Sequence, residues 1–215
     1  MNRRQILEQV AAGRLRPTEG ARLLDQPAER ARALRLRRAF GAIELQADPD
    51  VADLVVVDGV HRVVREGDVL DIVDVPVHGT WQAGRRFTAR VNPELEVDAE
   101  ITGGLLSVRG LHGPLRVVVQ AGSAAIEGIG GPLELQVTSG SVVVSGSPRL
   151  GDWRLESVSA SLQLTLSHDC DATVDIRARH SSVDAWTTER RAVLGSGTHS
   201  LDIDATFSDL AVRIE

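Results

Sequence analysis

The chain contains no lysine and no tyrosine, and its one cysteine is Cys170. A single thiol excludes an internal disulfide and a cysteine-based zinc cage. Aromatic residues make up only 3%, three Trp and three Phe. The core must therefore be filled by Val, Leu, Ile and Ala, which suit thin, evenly spaced β layers. No run approaches the roughly eighteen apolar residues of a membrane-spanning helix. The opening MNRRQILEQV is charged and is not followed by the apolar stretch of a secretory leader, so a cytoplasmic location is the expectation.

What is present is 215 residues, 42% of them hydrophobic, with a net charge of −6. That length suits one long domain, or one domain with a small appendage. The charge is uneven: residues 1–40 hold ten Arg against four acids, and the remainder fourteen Arg against twenty-six acids. An acidic body argues against general nucleic-acid binding. The basic head favours an acidic protein partner, peripheral contact with anionic lipid, or its own acidic body, beside the blander reading of a solvated Arg-rich face.

Residues 1–30 read as two short helices. Ile6, Leu7 and Val10 form a helical stripe, Gly13 stands at a helix C-cap position, and Pro17 suits the first residue of a second helix. Leu15, Leu23 and Leu24 extend the apolar side. Helices this short are marginal alone and need a packing partner. We expect Ile6, Leu7, Val10, Leu15, Leu23 and Leu24 to contact a protein partner or a second copy of the chain.

Residues 31–215 alternate with period two in short runs: RALRLRR (32–38), AIELQAD (42–48), LVVVD (54–58), HRVVRE (61–66), VLDIVDV (69–75) and FTARV (87–91). The segment 76–86 is irregular and reads as a loop, and an exposed Trp81 within it would be a binding anchor. From Leu95 a repeat takes over. LRVVVQAGSAAIEG (115–128) returns as LELQVTSGSVVVSG (133–146), and Gly113-Pro114-Leu115 returns as Gly131-Pro132-Leu133. Equivalent corners are assigned to Gly103-Gly104-Leu105, Gly122-Ser123-Ala124, Gly140-Ser141-Val142, Ala160-Ser161-Leu162, Ser181-Ser182-Val183 and Ser208-Asp209-Leu210. Each repeat is two strands and two tight corners and must stack on its neighbours to bury its apolar side. The fold expected is mainly β, a β-solenoid or β-roll with a small N-terminal helical hairpin, with a β-sandwich as the runner-up. Leu133, Leu135, Val137, Val142, Val144, Leu162 and Leu164 should line the interior. LAVRIE (210–215) has no polar cap, which suggests an open final rung, with Arg32, Arg35, Arg37 and Arg38 near the first one.

The head, RRQILEQVAAGRLRPTEGARLLDQ, resembles the SHOCT-like helical hairpin through Gly13, Arg14, Leu15, Leu23 and Leu24, although Arg16 stands where that motif has a Ser or Thr N-cap. The body resembles the bacterial putative-adhesin family, a domain of unknown function built of stacked β-rungs. The phrases that carry this are DPDVADLVVVDGVHRVVREGDVLDI (48–72), RVNPELEVDAEITGG (90–104) and the Ser-Gly rungs that follow. The resemblance implies protein–protein contact and a link to cell-envelope stress, and it brings no catalytic residues.

Chemistry is sparse. Ser167-His168-Asp169-Cys170-Asp171 offers metal ligands or a nucleophile with a base, but it falls at a corner and reads as a capped turn. His180 before Ser181-Ser182 has no third orienting group and no oxyanion hole. GIGGP (128–132) and GSGTHS (195–200) lack the features of a phosphate loop. We expect no enzyme activity, no cofactor and no metal. The expected function is an interaction module recruiting a protein partner or a second copy through its head. The alternatives are a self-assembling scaffold and, further off, a carbohydrate-active enzyme.

Overall fold

The computed structural model describes residues 9–19, 21, 30–38, 40–59, 61–74 and 86–215. Two compact units divide the chain, Met1–Arg30 and Ala31–Glu215. In the first, residues 9–11 and 17–19 are helical. Gly13 takes a left-handed φ of 70° and its N–H donates to the Val10 carbonyl at 3.0 Å, which closes the first helical turn. Val10 and Leu15 are half-buried. Ile6, Leu7, Leu23, Leu24 and Trp81 lie outside the described residues.

The second unit is mainly β and forms two mixed sheets. Its first strands are β1 (Ala33–Arg38), β2 (Ala42–Ala47), β3 (Leu54–Asp58), β4 (His61–Glu66), β5 (Val69–Asp74), β6 (Arg86–Val91), β7 (Glu96–Ile101) and β8 (Leu105–Arg109). The repeat region supplies β9 (Leu115–Val119), β10 (Gly122–Ile129), β11 (Leu133–Val137), β12 (Gly140–Gly146), β13 (Trp153–Val158) and β14 (Ala160–Leu166). The chain finishes with β15 (Ala172–Arg179), β16 (Ser182–Ala185), β17 (Arg191–Leu194), β18 (His199–Thr206) and β19 (Asp209–Ile214).

From β5 to β17 successive strands fall alternately in the two sheets. One sheet runs β17-β15-β18-β13-β11-β9-β7-β1-β5-β4, and the other β16-β19-β14-β12-β10-β8-β2-β6-β3. Neighbours are parallel except at β3/β6, β4/β5 and β15/β17. The period read between residues 115 and 146 is the pairing register itself: Leu115 stands beside Leu133 and Ser123 beside Ser141. One assigned corner is shifted, because Leu105 pairs with Ser123 where the sequence alignment placed Gly104. The glycines set that shift. Gly104, Gly122 and Gly140 all have positive φ and stack corner upon corner, with no room for a Cβ between them.

Alternation buries one face of each strand except the edge strands β3, β4, β16 and β17. Leu133, Leu135, Val137, Val142, Val144, Leu162 and Leu164 are all interior. Trp153 fills the place that Leu115 and Leu133 take in neighbouring strands, and its indole N–H donates to the Gly131 carbonyl at 2.8 Å. Burying the ring without that bond would leave a polar group unpaired.

The expected open last rung is corrected. β19 lies between β14 and β16, and β18 lies between β13 and β15, so the last strands in sequence are internal. The same happens at the other end: β1 lies between β5 and β7, so Arg35, Arg37 and Arg38 flank no open edge. Two strands lie outside each of β1, β2 and β18, and one lies outside β19. Their inward aliphatics (Leu34, Leu36; Leu201, Ile203) thereby gain a covered neighbour on each side.

Candidate interaction surfaces

The two outer faces differ in kind. On the sheet containing β7, the residues Asp71, Arg35, Asp98, Arg116, Glu134, Arg154 and Asp202 stand side by side on consecutive strands. Their charges alternate without a break. Arg116 bridges Asp98 at 3.1 Å and Glu134 at 3.8 Å, and Arg37 reaches Glu100 at 3.8 Å. Cross-strand pairs of this kind contribute about 0.2–1 kcal/mol each and penalise register slips that place like charges together. Charges of opposite sign face one another over most of this face, and like charges meet only toward its far end, where Asp202 stands beside Asp175 and Asp204 beside Glu156.

The outer face of the other sheet carries little charge across its centre. One row runs Ser107, Ala125, Val143, Gln163 and Ala211, and a second runs Leu105, Ser123, Ser141 and Ser161. At roughly 4.8 Å per strand step, the first row extends about 19 Å. Its side chains are small or flat, and Val143 and Leu105 are exposed at 40% and 48%. Charge returns only at the margins: Glu44 with Arg86 on one side, Asp184 and Asp209 on the other, and the Arg109–Glu127 pair along the border.

A cavity of about 480 Å³ opens at the corners following β10, β12 and β14, lined by Ile129, Ser147, Arg149, Leu150, His112 and the corner glycines. Arg149 is ion-paired with Asp169, and His112 stands 3.4 Å from Glu94. A second hollow of about 390 Å³ lies over Arg35, Arg37, Val64 and Glu66.

The Ser167–Asp171 cluster is dispersed by its corner. Ser167 donates to Asp169 at 2.6 Å, and the exposed His168 donates its backbone N–H to the Glu215 carbonyl. Cys170 is buried, and burial pushes its thiol pKa up, offset in part by a hydrogen bond with Ser147. Asp171 faces the loop before β18. It accepts from both hydroxyls of Ser196 and Thr198 at 2.8 Å, and from the N–H groups of Gly197 and Thr198 at 2.6 and 3.2 Å. Those donors, led by the two hydroxyls, hold its carboxyl well below the usual carboxylate range. This is a staple for a tight loop. His180 is a corner residue with φ 52°, stacked on Phe207 with ring centroids 5.1 Å apart. Ser159 and Phe207, its register equivalents, have φ of 54° and 50°. Among the described residues no group of three His, Cys, Asp or Glu is arranged to hold a metal, and no helix is long and apolar enough to cross a membrane.

The sequence reading missed the contrast between faces. Its signal was present: Asp98, Arg116 and Glu134 recur at the repeat spacing with alternating sign, while Ala125 and Val143 recur uncharged at the same spacing.

No family model matches the chain, and no curated protein matches it. A solved structure of a putative cell adhesion protein from Clostridium sporogenes is a distant structural neighbour. It is 8% identical, with a TM-score of 0.45, over 86% of this chain and 94% of that one. The SHOCT-like and adhesin-like resemblances rest on their motifs alone.

Proposed function

We propose that the protein is a non-enzymatic cytoplasmic interaction module, a β-solenoid that presents the uncharged face of the β8–β10–β12–β14–β19 sheet to a protein partner. In this reading the helical head is a second contact point, for a partner or another head. The observation that carries it is the row Ser107, Ala125, Val143, Gln163 and Ala211. Burying a charged row would require desolvating each charge, whereas a flat row of small uncharged side chains loses little on contact. The opposite face, charged on every strand from β5 to β18, acts as the solvated side.

The test uses immobilised full-length protein as bait, comparing wild type with Val143→Arg on the uncharged face and Arg116→Ser on the charged face. Both positions are surface residues, and circular dichroism checks the fold. A partner retained by Arg116→Ser and lost by Val143→Arg supports the reading. Identical capture by all three baits overturns it.

A further inference from the structure

Two things oblige a corner residue to be glycine: a left-handed backbone, or no room for a Cβ. Gly128 and Gly146 meet the first, with φ of 66° and 150°. Gly131 meets the second, since a Cβ there would lie 2.0 Å from the His112 carbonyl oxygen. Gly130 meets neither. Its φ is not positive, and beyond its chain neighbours a Cβ would find only His112 Cδ2 within 4 Å, at an ordinary contact distance of 3.7 Å. The place of its side chain is vacant, and Gly130 lines the corner cavity of about 480 Å³.

The vacancy is one rung thick. Gly113-Pro114-Leu115 returns as Gly131-Pro132-Leu133, so His112 and Gly130 hold the same place on successive rungs. The Gly130 N–H donates to the Leu111 carbonyl at 3.2 Å, and its own carbonyl accepts from the N–H groups of Arg149 and Leu150 at 3.2 and 3.0 Å. Along the stack the order is therefore an imidazole, an empty place, and the Arg149–Leu150 pair. Rungs repeat about every 4.8 Å, and carbon atoms in contact stand roughly 3.5–4.0 Å apart, so a gap of one rung takes a flat ring rather than a rounded body. The Arg149 side of the gap is already fixed: its side chain is ion-paired with Asp169, and its carbonyl accepts from His199 Nε2 at 2.9 Å. Little ordering is left for a ligand to impose. The buried Ile129 and the exposed Leu150 supply apolar lining.

We infer that this corner cavity binds a small, uncharged, electron-rich aromatic molecule, held over Gly130 between His112 and the Arg149–Leu150 loop. A guanidinium and an imidazole are walls that attract the face of such a ring. Each already has its carboxylate, Glu94 at 3.4 Å from His112 Nδ1 and Asp169 on Arg149. A charged ligand would be desolvated with no free counter-charge to meet it, which favours an uncharged one. The volume lies within the range of small-molecule sites, roughly 300–1,000 Å³. The site is a corner of the stack, not the sheet face proposed to bind a protein partner, and it stands without that reading.

The experiment titrates full-length protein with indole, and with cyclohexylmethanol as a saturated probe of similar size, and follows the backbone amide signals by nuclear magnetic resonance. Indole should bind saturably, shift the amides of Gly128, Gly130 and Gly146, and bind about fivefold or more tightly than the saturated probe. Gly130→Ala tests the vacancy itself and should unfold at or above the wild-type midpoint, because the backbone is unstrained and the methyl has room. Gly130→Leu fills the vacancy and should weaken indole binding about tenfold or more. If Gly130→Leu folds poorly, His112→Ala decides instead: it removes one wall and should weaken indole binding about threefold or more. Indole that shifts no corner amide, equal binding of the two probes, a destabilised Gly130→Ala, or a deciding variant that binds indole like wild type each overturns the inference.

Discussion

Asp209 pairs with Ser161 on one side and with Ser182 on the other, so the strand that ends the chain is flanked in its sheet by two earlier ones. The consequence is that β18 and β19 behave as core. Leu201, Ile203, Ala205, Leu210 and Val212 are all buried.

Ile203→Ala should therefore cost on the order of 2–5 kcal/mol, as in any well-packed interior. Val193→Ala, on the exposed side of β17, should fall within about 0.5 kcal/mol of wild type. Urea titration of both variants measures this. If Ile203→Ala were as mild as Val193→Ala, the insertion of β18 between β13 and β15 would be wrong.

Much of this architecture is legible in the amino-acid order, and one part is not. Strand limits follow from alternation: LVVVD and HRVVRE coincide with β3 and β4 residue for residue. The spacing of 18 is the register of β9 on β11. The order of the last rungs could not be read. β15 and β18 both present an inward aliphatic pair, Val174 with Ile176 and Leu201 with Ile203, at matching register. Alternation specifies which face turns inward but is equally satisfied by either strand stacking on β13. The candidate head contacts Ile6, Leu7, Leu23 and Leu24 fall outside the described residues, so their placement adds nothing to the motif.

The corner glycines separate two costs that are usually mixed. A Cβ on Gly140 would lie 2.0 Å from the Gly122 carbonyl oxygen, and its φ is 128°. Gly67 has a φ of 62° and nothing within 4 Å of the same position. Gly67→Ala should cost only the backbone term, about 1–2 kcal/mol. Gly140→Ala adds a clash with backbone that cannot turn aside and should exceed roughly 3 kcal/mol. Thermal or chemical unfolding of the two variants side by side gives the difference. Equal costs would mean that the corners are not stacked.

Cys170 offers a reporter that needs no label elsewhere. It is the one thiol in the chain, buried, with its pKa raised chiefly by desolvation. Both burial and a smaller thiolate fraction slow attack on disulfide reagents. Its reaction with a chromogenic disulfide at neutral pH should be far slower in native protein than in urea. The native rate should rise in Ile203→Ala, because β18, which that change loosens, pairs with β15, the strand that follows Cys170. A native thiol that reacts at the unfolded rate would place Cys170 at the surface.

Asp171 sets the acid side of the stability profile. Its carboxyl is held below the usual range by the Ser196 and Thr198 hydroxyls and by backbone N–H groups of Thr198 and Gly197, so the folded state binds its proton less readily than the unfolded chain. A depressed carboxylate contributes stability that is fully present above its unfolded value near pH 4 and is lost as the pH falls toward the folded value. Asp171→Asn keeps the shape and one acceptor but removes the charge. The variant should be less stable than wild type at pH 7, and the gap should narrow steadily below about pH 4. Amides of Gly197 and Thr198, which donate to this carboxylate, should exchange faster in the variant at neutral pH. A gap that stays constant from pH 7 to pH 2 would show that the carboxylate charge does no work in holding the loop, and that shape alone closes the turn leading into β18.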